Sequence, residues 1–283
     1  MILDKNLQVE SVLSLEKILD FDNRNNLSKE ESEDNIIKNI VTINKLIDSE
    51  QDNEGKTILT IEGWCNGLRI TNDGFVITAY HAIKNYIEEW KSIYYNNYNK
   101  NKNIENIATI VGDLKINKYV ILDQDRYIYP IDPTFCVFNS KIDIALIKVV
   151  SMKEPEPVKF KILREELKIG EEIKNVGIDQ FGVKDFGLYI NKGKIILESL
   201  DVPIHNIEGE KISEAYDSFL TNINSKSGFS GSVFITENGE FAGTCLYAEF
   251  HKNENMLYNS GGAKTKYIID LIRVAVEKLK NSF

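Results

Sequence analysis

Apolar positions near the start of the chain recur at helical spacing. Val9, Val12, Leu13, Leu15, Ile18 and Leu19 form one stripe, and Ile36, Ile37, Ile40, Ile43 and Ile47 form a second. Ser28 with Glu31 has the form of a capping box where the second helix would start. This pattern predicts a helical N-terminal extension over residues 1–56. Such an extension is a hairpin packed on the main body, a docking surface for a regulatory protein partner, or a mobile arm.

From Thr57 the pattern changes to short β-rich runs broken by Gly, Asn and Asp. Examples are Thr57 to Ile61, Leu68 to Thr71, Phe75 to Thr78, Tyr119 to Leu122 and Ile144 to Val150, with Asn72-Asp73-Gly74 as a hairpin signal. Lys84 to Lys102 interrupts them as a helix-like insertion, and Ser151 to Pro157, with two prolines, reads as a linker. A second β-rich block runs from Lys159 to Tyr247, and Tyr267 to Leu279 predicts a partly buried terminal helix. The chain is therefore expected to be mainly β, with a first lobe over 57–155 and a second over 156–283. Many short strands point to barrels or sandwiches, not to a parallel sheet.

Composition narrows the classes. Apolar and charged fractions of 42% and 27% are those of a globular protein with a sizeable core. No apolar run is long enough for a membrane-spanning helix. Met1 to Asp22 lacks the basic region and apolar core of a secretory signal, so a cytoplasmic protein is expected. Cys65, Cys136 and Cys245 are odd in number and widely spaced, which gives no disulfide framework. His81, His205 and His251 are isolated from them and from one another, so neither a metal nor another cofactor is expected. A net charge of −9 weighs against nonspecific nucleic-acid binding.

Three segments carry candidate chemistry. Ser230 lies in Lys226-Ser227-Gly228-Phe229-Ser230-Gly231-Ser232, His81 follows Thr78-Ala79-Tyr80, and Asp143 opens the apolar run Ile144-Ala145-Leu146-Ile147. Each alone has an ordinary reading as a turn residue or a strand-starting cap. Together they supply what a serine nucleophile needs, because its hydroxyl is weak without an adjacent base. Ser230 is the candidate nucleophile, His81 the base, and Asp143 the group that orients it. Glycines around the serine let consecutive N–H groups point into one space. Gly228 and Ser230 are therefore the candidate oxyanion-hole donors.

The region from Thr57 to Leu279 resembles the trypsin-like serine peptidases, especially their bacterial cytosolic and HtrA-like branches. The resemblance rests on Gly63-Trp64-Cys65-Asn66-Gly67 with Thr78-Ala79-Tyr80-His81, on Asp143-Ile144-Ala145-Leu146, and on Gly228-x-Ser230-Gly231 with Asn238-Gly239. The order His, Asp, Ser is also that of chymotrypsin-type enzymes. The resemblance implies two perpendicular six-stranded β-barrels, with His81 and Asp143 on the first and Ser230 on the second. It further implies a serine endopeptidase acting on a protein or peptide substrate through an acyl-enzyme.

Departures from the family pattern refine this. Members activated by cleavage have an Asp immediately before the nucleophile, which pairs with a new N-terminal amine; Phe229 stands there, so no activation of that kind is expected. Ala82 stands where animal members have a disulfide cysteine. No PDZ-like module is read after the second lobe. Position relative to Ser230 makes Asn224, Ser225, Tyr247 and Gly262 candidate lining for a neutral primary pocket. Two other readings stay open: a peptide-binding module without turnover, and an esterase or acyl transferase using the same three residues.

Overall fold

The computed structural model describes residues 5–20, 26–51, 57–89, 119–149, 158–179, 187–205, 211–225, 228–250 and 258–281. Two helices come first, α1 (Lys5–Leu19) and α2 (Lys29–Lys38). The capping box is present: Ser28 Oγ accepts from Glu31 N at 3.1 Å, and Ser28 N donates to the Glu31 carboxylate at 2.8 Å.

The helical extension ends earlier than its apolar spacing predicts. Asn39 stops α2, its side chain turning back to the carbonyl of Asn35 at 2.7 Å. Ile40–Gln51 is a strand, β1, and belongs to the first barrel. Ile40, Val41, Thr42, Ile43 and Asn44 are all buried, whereas a helix of this stripe would bury one side only. Three of those first four residues after the helix are apolar and all are β-branched, which favours a pleated, buried strand.

The first barrel is closed in the order β1-β2-β3-β6-β5-β4. Its other strands are β2 (Thr57–Arg69), β3 (Phe75–Ala79), β4 (Tyr119–Leu122), β5 (Ile128–Asn139) and β6 (Ile144–Val149). The runs read separately at Thr57 and Leu68 are one long strand, β2. The Asn72-Asp73-Gly74 turn does join β2 to β3, with Ile70 N donating to Phe75 O at 2.8 Å. A further helix, α3, starts at residue 80 and is described to residue 89. The rest of the Lys84–Lys102 insertion and the Ser151–Pro157 linker lie outside the described residues.

The second lobe comprises β7 (Lys161–Ile162), β8 (Glu172–Asp179), β9 (Gly187–His205), β10 (Lys211–Thr221), β11 (Val233–Thr236), β12 (Glu240–Phe250) and β13 (Tyr258–Lys264). Its sheet has seven strands, not six, in the order β11-β8-β9-β10-β13-β12-β7. A β11–β12 pairing links six of them into a ring, and the two-residue β7 is the extra, lying parallel to β12. The Asn238-Gly239 turn connects β11 to β12, with Gly239 at φ 73°.

The C-terminal helix α4 (Thr265–Lys280) buries Ile268, Leu271, Ile272, Ala275, Val276 and Leu279 on one face. Full burial of each large aliphatic chain contributes about 1.5–3 kcal/mol. Helix α1 lies against α4, and Lys280 pairs with Glu16 at 2.7 Å. One continuous apolar cluster runs through α1, the first barrel, parts of β8, β11 and β12, and α4. A smaller cluster around Ile173, Phe219, Phe234 and Cys245 fills the second lobe. Among the described residues no helix is long and apolar enough to cross a membrane.

Candidate active site

Strand β3 runs directly into α3, so His81 falls in the first turn of a helix. Asp143 ends the turn that leads into β6. Asn139 Oδ1 accepts from Lys141 N (3.1 Å) and Ile142 N (3.3 Å), which folds that turn. Asp143 itself has φ 63°, a region that side-chain-bearing residues seldom occupy. Its backbone carbonyl accepts from Tyr80 N at 2.9 Å, and its Oδ1 accepts from His81 N at 2.9 Å. The carboxylate thus takes a first-turn N–H of α3 and sits at the positive end of that helix.

The second carboxylate oxygen, Oδ2, lies 2.6 Å from His81 Nδ1, and His81 Nε2 lies 2.9 Å from Ser230 Oγ. Asp143 is fully buried, and the His81 side chain is 16% exposed. A carboxylate accepts only, so Nδ1 carries the proton towards Asp143 and Nε2 is left to accept from the serine hydroxyl. The three residues named from sequence are therefore brought together, from both lobes.

The turn that carries Ser230 is held by its backbone. Gly231 N donates to Cys245 O (2.8 Å), Ser232 N to Phe229 O (2.9 Å), and Cys245 N to Ser232 O (2.7 Å). Gly228 and Gly231 have φ 87° and 82°. At Gly231 a Cβ would lie 1.8 Å from Asn66 O, so a side chain has no room there. Phe229 is buried, its ring edge-on to Tyr189 at 5.5 Å.

Asn66, buried in β2, crosses from the first barrel to this turn. Its backbone N donates to Ser230 O at 2.8 Å and its Nδ2 to Gly228 O at 2.9 Å. Asn175, on β8, adds a bond from Nδ2 to Ser232 Oγ at 2.9 Å. In sequence Asn66 stands only as part of a strand block, and nothing marks Asn175 or Asn139. A buried asparagine announces no partner from spacing alone.

The four pocket candidates do not share one environment. Ser225 is buried with its Oγ 3.9 Å from Cys245 Sγ, whose residue also bonds the Ser230 turn. Asn224 is exposed, and its carbonyl accepts from Asn191 Nδ2 at 2.6 Å. Tyr247 lays its ring across Gly261, and its hydroxyl lies 2.9 Å from Ser218 Oγ. Gly262 faces the second-lobe core instead, where a Cβ would stand 2.8 Å from both Phe219 Cζ and Phe234 Cε2.

The sequence matches no protein-family model and no curated protein. Solved structures do match. The HtrA-type protease AlgW, solved with a decapeptide, superposes with a TM-score of 0.57 at 12% identity, over 89% of this chain and 68% of that one. The active form of the Rv3671c protease from M. tuberculosis gives 0.52 at 14% identity, over 84% of this chain and 81% of that one. The fold is that of the trypsin-like proteases. At such identities the likeness concerns the fold alone.

Proposed function

We propose that this protein is a serine endopeptidase in which Ser230 attacks a peptide carbonyl, His81 takes its proton, and Asp143 orients the imidazole. The observation that carries this reading is the unbroken path from Asp143 Oδ2 to His81 Nδ1 at 2.6 Å and from His81 Nε2 to Ser230 Oγ at 2.9 Å. The Ser230 oxygen bonds to the carbonyl carbon, and the oxyanion formed is met by the N–H groups of Gly228 and Ser230. His81 then passes the proton to the leaving amine, giving an acyl-enzyme. Water repeats the sequence and releases the acid.

The substrate is an extended protein or peptide segment. Support comes from the fold shared with a protease solved with a decapeptide. Neutral candidates such as Ser225 and Asn224 favour a side chain other than Arg or Lys before the scissile bond. The cytoplasm fits three free cysteines. Regulation through residues 1–56 would act on a segment largely built into the body, since residues 40–51 are barrel strand.

Digestion of a peptide library, followed by mass spectrometry, tests this function. Cleavage by the wild type and none by Ser230→Ala is expected. Equal cleavage by both would overturn the reading, and hydrolysis of ester but not peptide substrates would assign an esterase instead.

A further inference from the structure

The nucleophile turn has to hold peptide planes in fixed orientation for its N–H groups to face a substrate oxygen. A trans peptide points its N–H and C=O in opposite directions, so a bond to a carbonyl also aims the N–H of the same plane. Ser232 N fixes the Phe229 carbonyl, which sets the plane that carries Ser230 N–H. The preceding plane, from Gly228 to Phe229, carries Phe229 N–H and is the link between the two donors, Gly228 N–H before it and Ser230 N–H after it. A side chain fixes it, because Asn66 Nδ2 donates to Gly228 O at 2.9 Å. The plane after them is fixed by the same residue, because Asn66 N donates to Ser230 O at 2.8 Å.

Asn66 is itself immobilised. It has no exposed surface, its Oδ1 accepts from Ile178 N at 2.7 Å, and Nδ2 also reaches Ile178 O at 3.3 Å. Strand β8 therefore holds the amide, and the amide holds the turn. Gly228 at φ 87° is the residue whose backbone has the most freedom to swing if that bond is lost. The residue next to the nucleophile, Phe229, has a buried apolar ring and offers no charge to anchor the turn electrostatically.

We propose that Asn66 is a positioning residue: its side-chain amide locks the Gly228–Phe229 peptide, the link that spaces Gly228 N–H from Ser230 N–H, so that the oxyanion hole stands preformed without any cleavage-generated amine. This rests on the serine-endopeptidase reading above. In effect the first barrel, which supplies the base, also sets the turn that supplies the nucleophile.

The test compares wild type, Asn66→Ala and Asn66→Asp. The aspartate keeps the shape and an acceptor for Ile178 N but removes the donor to Gly228 O. Two readouts are needed: saturation kinetics of a fluorophosphonate reacting with Ser230, and peptide-level hydrogen exchange over residues 228–232. Both variants should lower the maximal labelling rate about tenfold or more, approaching the loss of one oxyanion donor, with little change in the half-saturating probe concentration. Exchange over 228–232 should rise in both. Unchanged exchange in a folded variant overturns the proposal, as does an unchanged maximal rate beside a labelled wild type. A wild type that fails to label sinks the enzymatic reading separately, and exchange then decides the role of Asn66 by itself. If Asn66→Ala does not fold, Asn66→Asp carries the comparison.

Discussion

His81 gives Asp143 two hydrogen bonds, one from its backbone N to Oδ1 at 2.9 Å and one from its ring Nδ1 to Oδ2 at 2.6 Å. The carboxylate fixes the start of α3 and the ring tautomer with the same group. Asparagine at this position would have to choose. If its oxygen keeps the backbone N–H, its NH2 faces Nδ1 and drives the ring proton to Nε2, where it opposes the serine. Asp143→Asn should lower kcat about 10³–10⁴-fold in a folded protein. A drop of less than tenfold, measured on any cleavable peptide, would contradict this role for the pair.

The second prediction concerns acid. Burial pushes the Asp217 carboxyl up, but hydrogen bonds from Lys264, Lys266, Tyr267 and Ser199 outweigh it and hold it well below its ordinary value of 3.8. Because the folded form keeps the charge, its contribution is complete above that ordinary value and fades as pH falls below it. Asp217 ties β10 to the start of α4 through Lys264 at 2.5 Å and the Tyr267 hydroxyl at 2.6 Å. Asp217→Asn should cost about 2–3 kcal/mol at neutral pH, and denaturant melts should show the gap from wild type closing as the solution is acidified. A gap that stays constant with pH would count against the assignment.

Helix α2 braces one lobe on the other. Ser32 Oγ donates to Gly239 O at 2.5 Å and accepts from Lys161 N at 2.8 Å, while Lys174 pairs with Glu33 at 2.5 Å. Ser32 is fully buried, so Ser32→Ala strands two backbone groups and should cost about 1–3 kcal/mol. Removing residues 1–38 should lower Tm and leave peptidase activity no higher than before. A large gain in activity at unchanged Tm would instead make this segment an inhibitory one.

Thiol chemistry offers a fourth check. Burial pushes the Cys65 thiol up to about 12 and the Cys245 thiol up to about 11, against partial relief by nearby hydroxyls. Thiolate is the reactive form, so both should resist a disulfide reagent at neutral pH in the native protein. Cys136, half-buried, should react first. Labelling of Cys245 ahead of Cys136 would contradict tight packing behind the Ser230 turn.

Much of the architecture was legible because it rests on short-range signals. The Ser28–Glu31 cap, the Asn72-Asp73-Gly74 and Asn238-Gly239 turns, and the terminal helix all lie where residue pattern puts them. Strand β1 was not legible, for a physical reason. Ile40, Ile43 and Ile47 fit a helical stripe, and bulges after Ile43 and near Leu46 break the alternation that would have marked a strand. Burial on both faces hid it further. His81, Asp143 and Ser230 could be read as a set from their order and neighbours, whereas the asparagines that hold their loops could not. Asn66 and Asn139 act through bonds to backbone far away or around a turn, and Asn175 through the distant Ser232 hydroxyl; such partners exist only once the chain is folded.

The most direct measurement is fluorophosphonate labelling of purified wild type, Ser230→Ala and His81→Ala. A hydroxyl activated by its neighbouring imidazole should become covalently phosphonylated in the wild type, with the adduct mapped to Ser230 and no adduct in either variant. A folded wild type that takes up no label, or a Ser230→Ala variant labelled as fully as the wild type, would contradict the account.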